Sequence, residues 1–168
     1  MGQAQALATN LHASHLFAAY GSAYAVLSTI MAGRELGFPA LASLRSFHII
    51  EGKPSISAQA MVAKVLRSGL AEYWESVSFS ETEATFETKR KGARKPERVT
   101  HTIEMARIAW PKKDDKWEEK FKASGWGRNP TDMLVARSQS RLVRLVYSDL
   151  VLGLYTPEEL EDMRSDNV

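Results

Sequence analysis

A chain of 168 residues with 44% hydrophobic and 25% charged residues has the make-up of an ordinary globular domain, which excludes fibrous and wholly disordered classes. It has no cysteine, so disulfides, thiolate metal centres and cysteine nucleophiles are ruled out, and a reducing, cytoplasmic setting is expected. Net charge is only +2 and the four histidines (His12, His15, His48, His101) lack a zinc-ligand spacing, so neither a global field nor a metal motif suggests a partner.

The first fifteen residues, rich in Ala, Gln, Thr and Asn, read as frayed or only partly helical. Residues 16–33 carry no formal charge. The stretch is nevertheless too rich in Ala, Gly, Ser, Thr and Tyr for membrane insertion, and no basic segment precedes it as in a signal peptide. Phe17, Tyr20, Tyr24, Leu27 and Met31 recur at steps of three and four, which predicts a buried helix ending near Gly37. Pro39 opens a second, short helix with Leu41 and Leu44 inward. Ser46–Ile50 and Ser55–Ser57 read as a small hairpin around the turn Glu51-Gly52-Lys53-Pro54, and Ser57 caps a helix from Ala58 to Arg67.

The middle of the chain is the most strand-like. Tyr73–Ser80, Ala84–Lys91 and Arg98–Ile103 alternate and are separated by short polar turns, which predicts an antiparallel meander. Glu104–Ala109 reads as a short helix, 111–122 as a solvent-facing mixed-charge segment, and Gly125-Trp126-Gly127-Arg128 as a loop. Asn129-Pro130 starts a long helix to about Ser148, and Thr156-Pro157-Glu158-Glu159 opens a terminal one. The expectation is one α+β domain with its core over about residues 16–160 and an acidic tail at 161–168. Its meander and preceding hairpin pack against the long C-terminal-half helix and an N-terminal helix.

Two basic features stand out. On the long helix, Leu134, Val135, Leu142, Leu145 and Val146 share one side, while Arg137, Arg141 and Arg144 fall on a neighbouring strip. Three arginines without an interposed acid form either a solvated, salt-bridged face or a phosphate-binding one, since guanidinium forks match phosphate oxygens. The second is the turn between the later strands, where Lys89, Arg90, Lys91, Arg94, Lys95 and Arg98 stand against Glu97 alone. Such cations track a nucleic-acid backbone or merely keep a strand edge from aggregating. Tyr73, Trp74, Phe79, Phe86, Trp110 and Trp117 lie near these charges as core residues or base-stacking platforms. Trp126, flanked by glycines beside Arg128, is the best stacking candidate.

Enzyme signatures are sparse. Glu87-Thr88-Lys89 on a strand would aim a carboxylate and an ammonium at one metal-bound phosphate, with Glu75 as the further ligand, in a small metal-dependent nuclease. Another alternative is an interaction module docking through the acidic C-terminal helix.

Several segments in order resemble the RecT-type single-strand annealing proteins of phages. They are Ala32-Gly-Arg-Glu-Leu-Gly37, Ile49-Ile-Glu-Gly-Lys-Pro54 with Ser57-Ala-Gln-Ala-Met61, Thr88-Lys-Arg-Lys-Gly92, and Asn129-Pro130 with Met133-Leu134. Ala136-Arg137, Arg141-Leu-Val-Arg144 and Gly153-Leu-Tyr-Thr-Pro-Glu-Glu-Leu160 complete the set, which spans roughly Ala32 to Leu160. The resemblance implies a cytoplasmic, non-enzymatic protein of phage recombination that binds single-stranded DNA and the annealed duplex without ATP or a resident cofactor, Mg²⁺ assisting at most. It implies homo-oligomers as rings or helical filaments, work beside a phage exonuclease, and no membrane partner. Carried onto this chain, the phosphate contacts are Arg137, Arg141 and Lys53, then Arg144, Lys89, Arg90 and Lys91.

Overall fold

The computed structural model describes residues 2–50, 53–151 and 154–157. The chain is α+β, and its internal contacts divide it into two compact units, Met1–Ile56 and Ser57–Val168. Among the described residues no helix is long and apolar enough to cross a membrane.

The first unit is helical with a small hairpin. Of its opening residues, read as frayed or only partly helical, Gly2–Ala13 form the helix α1, because alanine-rich sequence has the lowest helical cost and Ala8 is buried. A short 3-10 turn follows at Ala18–Tyr20, and Ser22 caps α2, Ala23–Glu35, by accepting from the Ala25 amide. The inward face of α2 is Val26, Thr29, Ile30 and Gly33, whereas Tyr24 and Met31 point to solvent, against the aromatic stripe expected from spacing. Gly33 lets α2 pack closely on α3, Ala40–Ser46, since a Cβ there would stand 2.0 Å from the Ser43 hydroxyl oxygen; on α3, Leu44 is buried and Leu41 is not. Ala8, Val26, Ile30 and Leu44 make the core, and the Tyr20 hydroxyl reaches the carbonyls of Leu44 and Phe47 at 2.7 and 2.9 Å. Strands β1, Phe47–Ile50, and β2, Lys53–Ile56, pair antiparallel as expected; Glu51 and Gly52 of the turn lie outside the described residues.

The second unit begins with α4, Ala58–Ser68, capped by Ser57 and ended by Gly69 at φ 68°. Then comes the meander: β3, Ala71–Phe79, β4, Glu83–Arg90, and β5, Glu97–Thr102, in the order β3-β4-β5 with antiparallel neighbours. Ala84, Phe86 and Thr88 of β4, with Val99 and His101 of β5, turn toward one face, and Glu87, Lys89, Arg98 and Thr100 toward the other. Three short helices follow: α5, Ile103–Ala109, α6, Trp117–Ala123, and the single turn α7, Gly125–Arg128. The long helix α8, Pro130–Val146, packs on β4 and β5.

The contact between α8 and the sheet centres on Leu134, Ser138 and Leu142, steps of four along one face, with Val143 and Tyr147 also buried. Leu134 and Leu142 each contribute about 1.5–3 kcal/mol by leaving water. Ser138 is small enough to let the helix approach, and its hydroxyl donates to the Ala84 carbonyl at 2.8 Å. Thr88 donates to the Tyr73 carbonyl at 2.7 Å, so the buried Tyr147 hydroxyl, 2.8 Å away, donates to Thr88. Leu145, expected on this face, is exposed. The Thr156–Glu159 capping box and the acidic helix it would start lie outside the described residues from Glu158 onward, as does Gly153.

Candidate functional site

The free edge of the sheet on the α8 side is β5, because β4 is central and β3 forms the opposite edge. Between that edge and α8 runs an open cleft of about 530 Å³. Arg98, Val99 and Thr100 of β5 line one wall, Met105 lies at the start of α5, and Arg141, Arg144 and Leu145 of α8 form the other wall. Among the described residues no acidic side chain lines it.

Each arginine is held differently. Arg141 is exposed, and among the described residues no carboxylate lies within ion-pair distance of it. Arg144 donates from Nη2 to the Leu154 carbonyl and lies 5.7 Å from the centre of the Tyr155 ring. These contacts anchor the Arg144 side chain at the end of the cleft. Arg98 donates from Nε and Nη2 to one oxygen of Glu87 at 2.9 and 2.7 Å, and the Tyr73 hydroxyl donates to the other at 2.7 Å. These bonds hold the Glu87 carboxyl below its ordinary value, and the carboxylate in turn pushes the Tyr73 phenol up to about 12.

Arg137 is half-buried one turn before Arg141, and both raise the positive potential at His101. The His101 ring packs on Trp126 with centroids 5.9 Å apart. Burial first, then the Arg137 and Arg141 charges, push its imidazole down to about 4, so the ring is neutral at pH 7.

The structure thus sets Arg141 and Arg144 on one cleft with Arg137 half-buried one turn earlier, whereas the Arg98 guanidinium turns to the other face of the sheet, onto Glu87. It does not bring the hairpin cations to the same place in usable form. Lys89 pairs with Glu72 at 3.0 Å. Arg90 reaches across to the end of α8, donating to the Val146 carbonyl at 2.9 Å and to both oxygens of Asp149 at 2.6 and 2.8 Å. It satisfies an orphan carbonyl at a helix C-terminus, where a cation is favoured, and that pins β4 to α8. Lys91, expected on the strand, lies exposed in the turn after it. Lys53 belongs to the first unit, where it opens β2 opposite Ile50.

Trp126 is the plainest correction. It is 4% exposed, in a core with Phe86, Phe121, Leu134 and Leu142, and offers no face for stacking. Its segment is the helical turn α7, started by the Ser124 hydroxyl, which accepts from the Trp126 amide at 3.2 Å. The flanking glycine serves close packing: a Cβ on Gly127 would stand 2.1 Å from the Lys122 carbonyl oxygen.

Glu87 and Lys89 are both engaged in ion pairs, and Glu75 stands opposite Glu87 in the strand register. Among the described residues no group of three or more His, Asp or Glu side chains could hold a metal ion. His101, Met105 and Leu145 were not legible as site residues. Only the position of Leu145, four residues after Arg141, pointed to the cleft. No protein-family model matches the chain, and no curated protein matches it.

Proposed function

We propose that this chain binds single-stranded DNA in the cleft between β5 and α8 and, as several copies side by side, holds complementary strands while they anneal without ATP. The observation that supports the binding half is the arginine strip of α8, Arg137, Arg141 and Arg144, of which Arg141 and Arg144 line one open cleft that has no carboxylate among its described lining residues. Like charges held together in this way repel unless an anion sits among them, and a phosphodiester chain supplies regularly spaced anions. The annealing half rests on the ordered motifs that resemble the RecT-type proteins. Sequence-independent pairing needs a protein that grips backbones and leaves Watson–Crick edges free. With about three phosphates neutralised per protomer, single-strand affinity falls with a log–log salt slope of about −2, so tripling the salt costs about tenfold. Each protomer then binds weakly, and an array along the strand supplies the strength.

The test is Arg141→Ala, because that side chain is exposed and its loss leaves the core intact. Single-strand affinity at low salt should fall several-fold and the salt slope should shrink by about 0.7, with circular dichroism unchanged. The wild-type protein should also accelerate annealing of complementary oligonucleotides without nucleotide triphosphate, and the variant should lag. Identical binding isotherms for the two proteins would sink the assignment.

A further inference from the structure

The cleft and the acidic C-terminal segment meet at Arg144. This residue lines the cleft, donates to the Leu154 carbonyl and lies 5.7 Å from the centre of the Tyr155 ring. Leu154 and Thr156 are both buried, so the chain is fixed beside α8 up to that point. Residues 158–168 follow directly and carry Glu158, Glu159, Glu161, Asp162 and Asp166 against Arg164 alone. An extended residue spans about 3.5 Å and a helical turn about 5.4 Å. Glu158 comes three residues after Tyr155, and Arg141 stands one turn before Arg144, so the acids are delivered within a few residues' reach of Arg141.

Arg141 is exposed on the cleft lining, and among the described residues no carboxylate lies within ion-pair distance of it. A tethered carboxylate meets this guanidinium at an effective concentration in the millimolar range, far above that of a free strand. We infer that the acidic segment 158–168 docks over Arg141 in the cleft and competes there with the phosphates of DNA. The competition rests on the reading above that the cleft holds DNA; the docking stands on the charges and the Arg144 anchor alone. A carboxylate offers a guanidinium the same paired oxygens as a phosphate, and an exposed pair of this kind is weak and screened by salt. The segment is therefore a built-in competitor that yields to a strand gripped by several copies at once.

The chain has no cysteine, so Asn167→Cys takes a single spin label at a known place in the full chain. At low salt the label should broaden the NMR amide signals of Arg141 and its neighbours on α8. The broadening should fade at about 0.5 M salt, and also when the labelled chain carries Glu158→Gln, Glu159→Gln, Glu161→Gln and Asp162→Asn. Broadening at the β4–β5 turn instead, where Lys91, Arg94 and Lys95 are exposed, or broadening indifferent to salt and to the four substitutions, overturns the docking. Unlabelled, the fourfold variant should bind oligothymidylate about fivefold more tightly at low salt, the strength of two ordinary exposed ion pairs. Combined with Arg141→Ala, that gain should shrink to less than about twofold. A gain that persists without Arg141 means that the acids act only through net charge, and the competition at this residue falls. If neither protein binds DNA, the competition falls with the DNA reading, and the spin label alone decides the docking.

Discussion

Two stretches of this chain look alike in charge and end differently: the arginines of α8 and the cations around the end of β4. On α8, Arg141 and Arg144 face an open cleft, and Arg144 is steadied by a backbone carbonyl and a ring. At the end of β4, Lys89 and Arg90 are drawn to Glu72 and Asp149, acids 17 and 59 residues away in sequence. A density of cations in sequence therefore says where positive charge is made, whereas strand register and the end of a helix decide whether it is spent on a carboxylate. Arg90 in particular acts as a brace between sheet and helix. Its guanidinium is held above its ordinary value by the hydrogen bonds it donates to Asp149, and Asp149 is held below its own by Arg90.

The largest effect is expected where both regions depend on one contact. Ser138 lies between α8 and β4 with no exposure, and its hydroxyl bonds the Ala84 carbonyl. Ser138→Leu adds a net two heavy atoms where the serine has no exposure, and it removes that bond. It should cost about 3 kcal/mol or more, read as a lower urea midpoint. DNA binding should fall with it, since the cleft exists only while α8 lies along β5. An equally stable leucine variant would show that the helix–sheet spacing does not position the cleft.

That contact also marks how far the sequence could be read. The meander was legible because alternation and turn residues are local signals, and α8 was legible because Pro130 and a four-residue apolar step announce it. Its inward face was assigned one position off centre: Leu145 was placed inside, and the buried serines Ser138 and Ser140 were passed over. Polarity hid them, although a small hydroxyl residue suits a close helix–sheet approach. In the first unit the same error runs the other way, since Tyr24 and Met31 keep helical spacing but the close neighbour α3 selects Val26, Thr29 and Gly33 instead. The three arginines were legible as a strip. His101 and Met105 were not, because only tertiary register carries β5 and the start of α5 to α8.

A smaller, pH-dependent effect sharpens the contrast from the cleft side. The His101 imidazole titrates near 4 when folded and near its ordinary 6.5 when unfolded. Between those values the unfolded chain takes up a proton that the folded chain refuses, so stability declines as pH falls from 6.5 toward 4 and is unaffected by this group above 6.5. The carboxylates held low, Glu87, Asp114 and Asp149, titrate at the acid end of this range or below it and leave its upper part to His101. His101→Gln should flatten the decline above pH 5 in urea melts. Phosphates seated on Arg137 and Arg141 remove part of what depresses the ring. Oligothymidylate should therefore raise the His101 value in an NMR titration, and no movement on binding would place the strand elsewhere.

The smallest effect is the most direct test of the contrast itself. Lys89 and Glu72 are both partly exposed, and an exposed ion pair of this kind contributes about 0–1 kcal/mol. Lys89→Ala should therefore leave stability nearly unchanged and shift single-strand affinity by less than about twofold, against the several-fold loss expected for Arg141→Ala. Glu72→Ala frees the ammonium without moving the strand, and should strengthen binding slightly at low salt if pairing is what keeps Lys89 from phosphate. A Lys89→Ala variant as impaired as Arg141→Ala would mean that the ion pair opens for DNA and that the hairpin belongs to the same interface as the cleft.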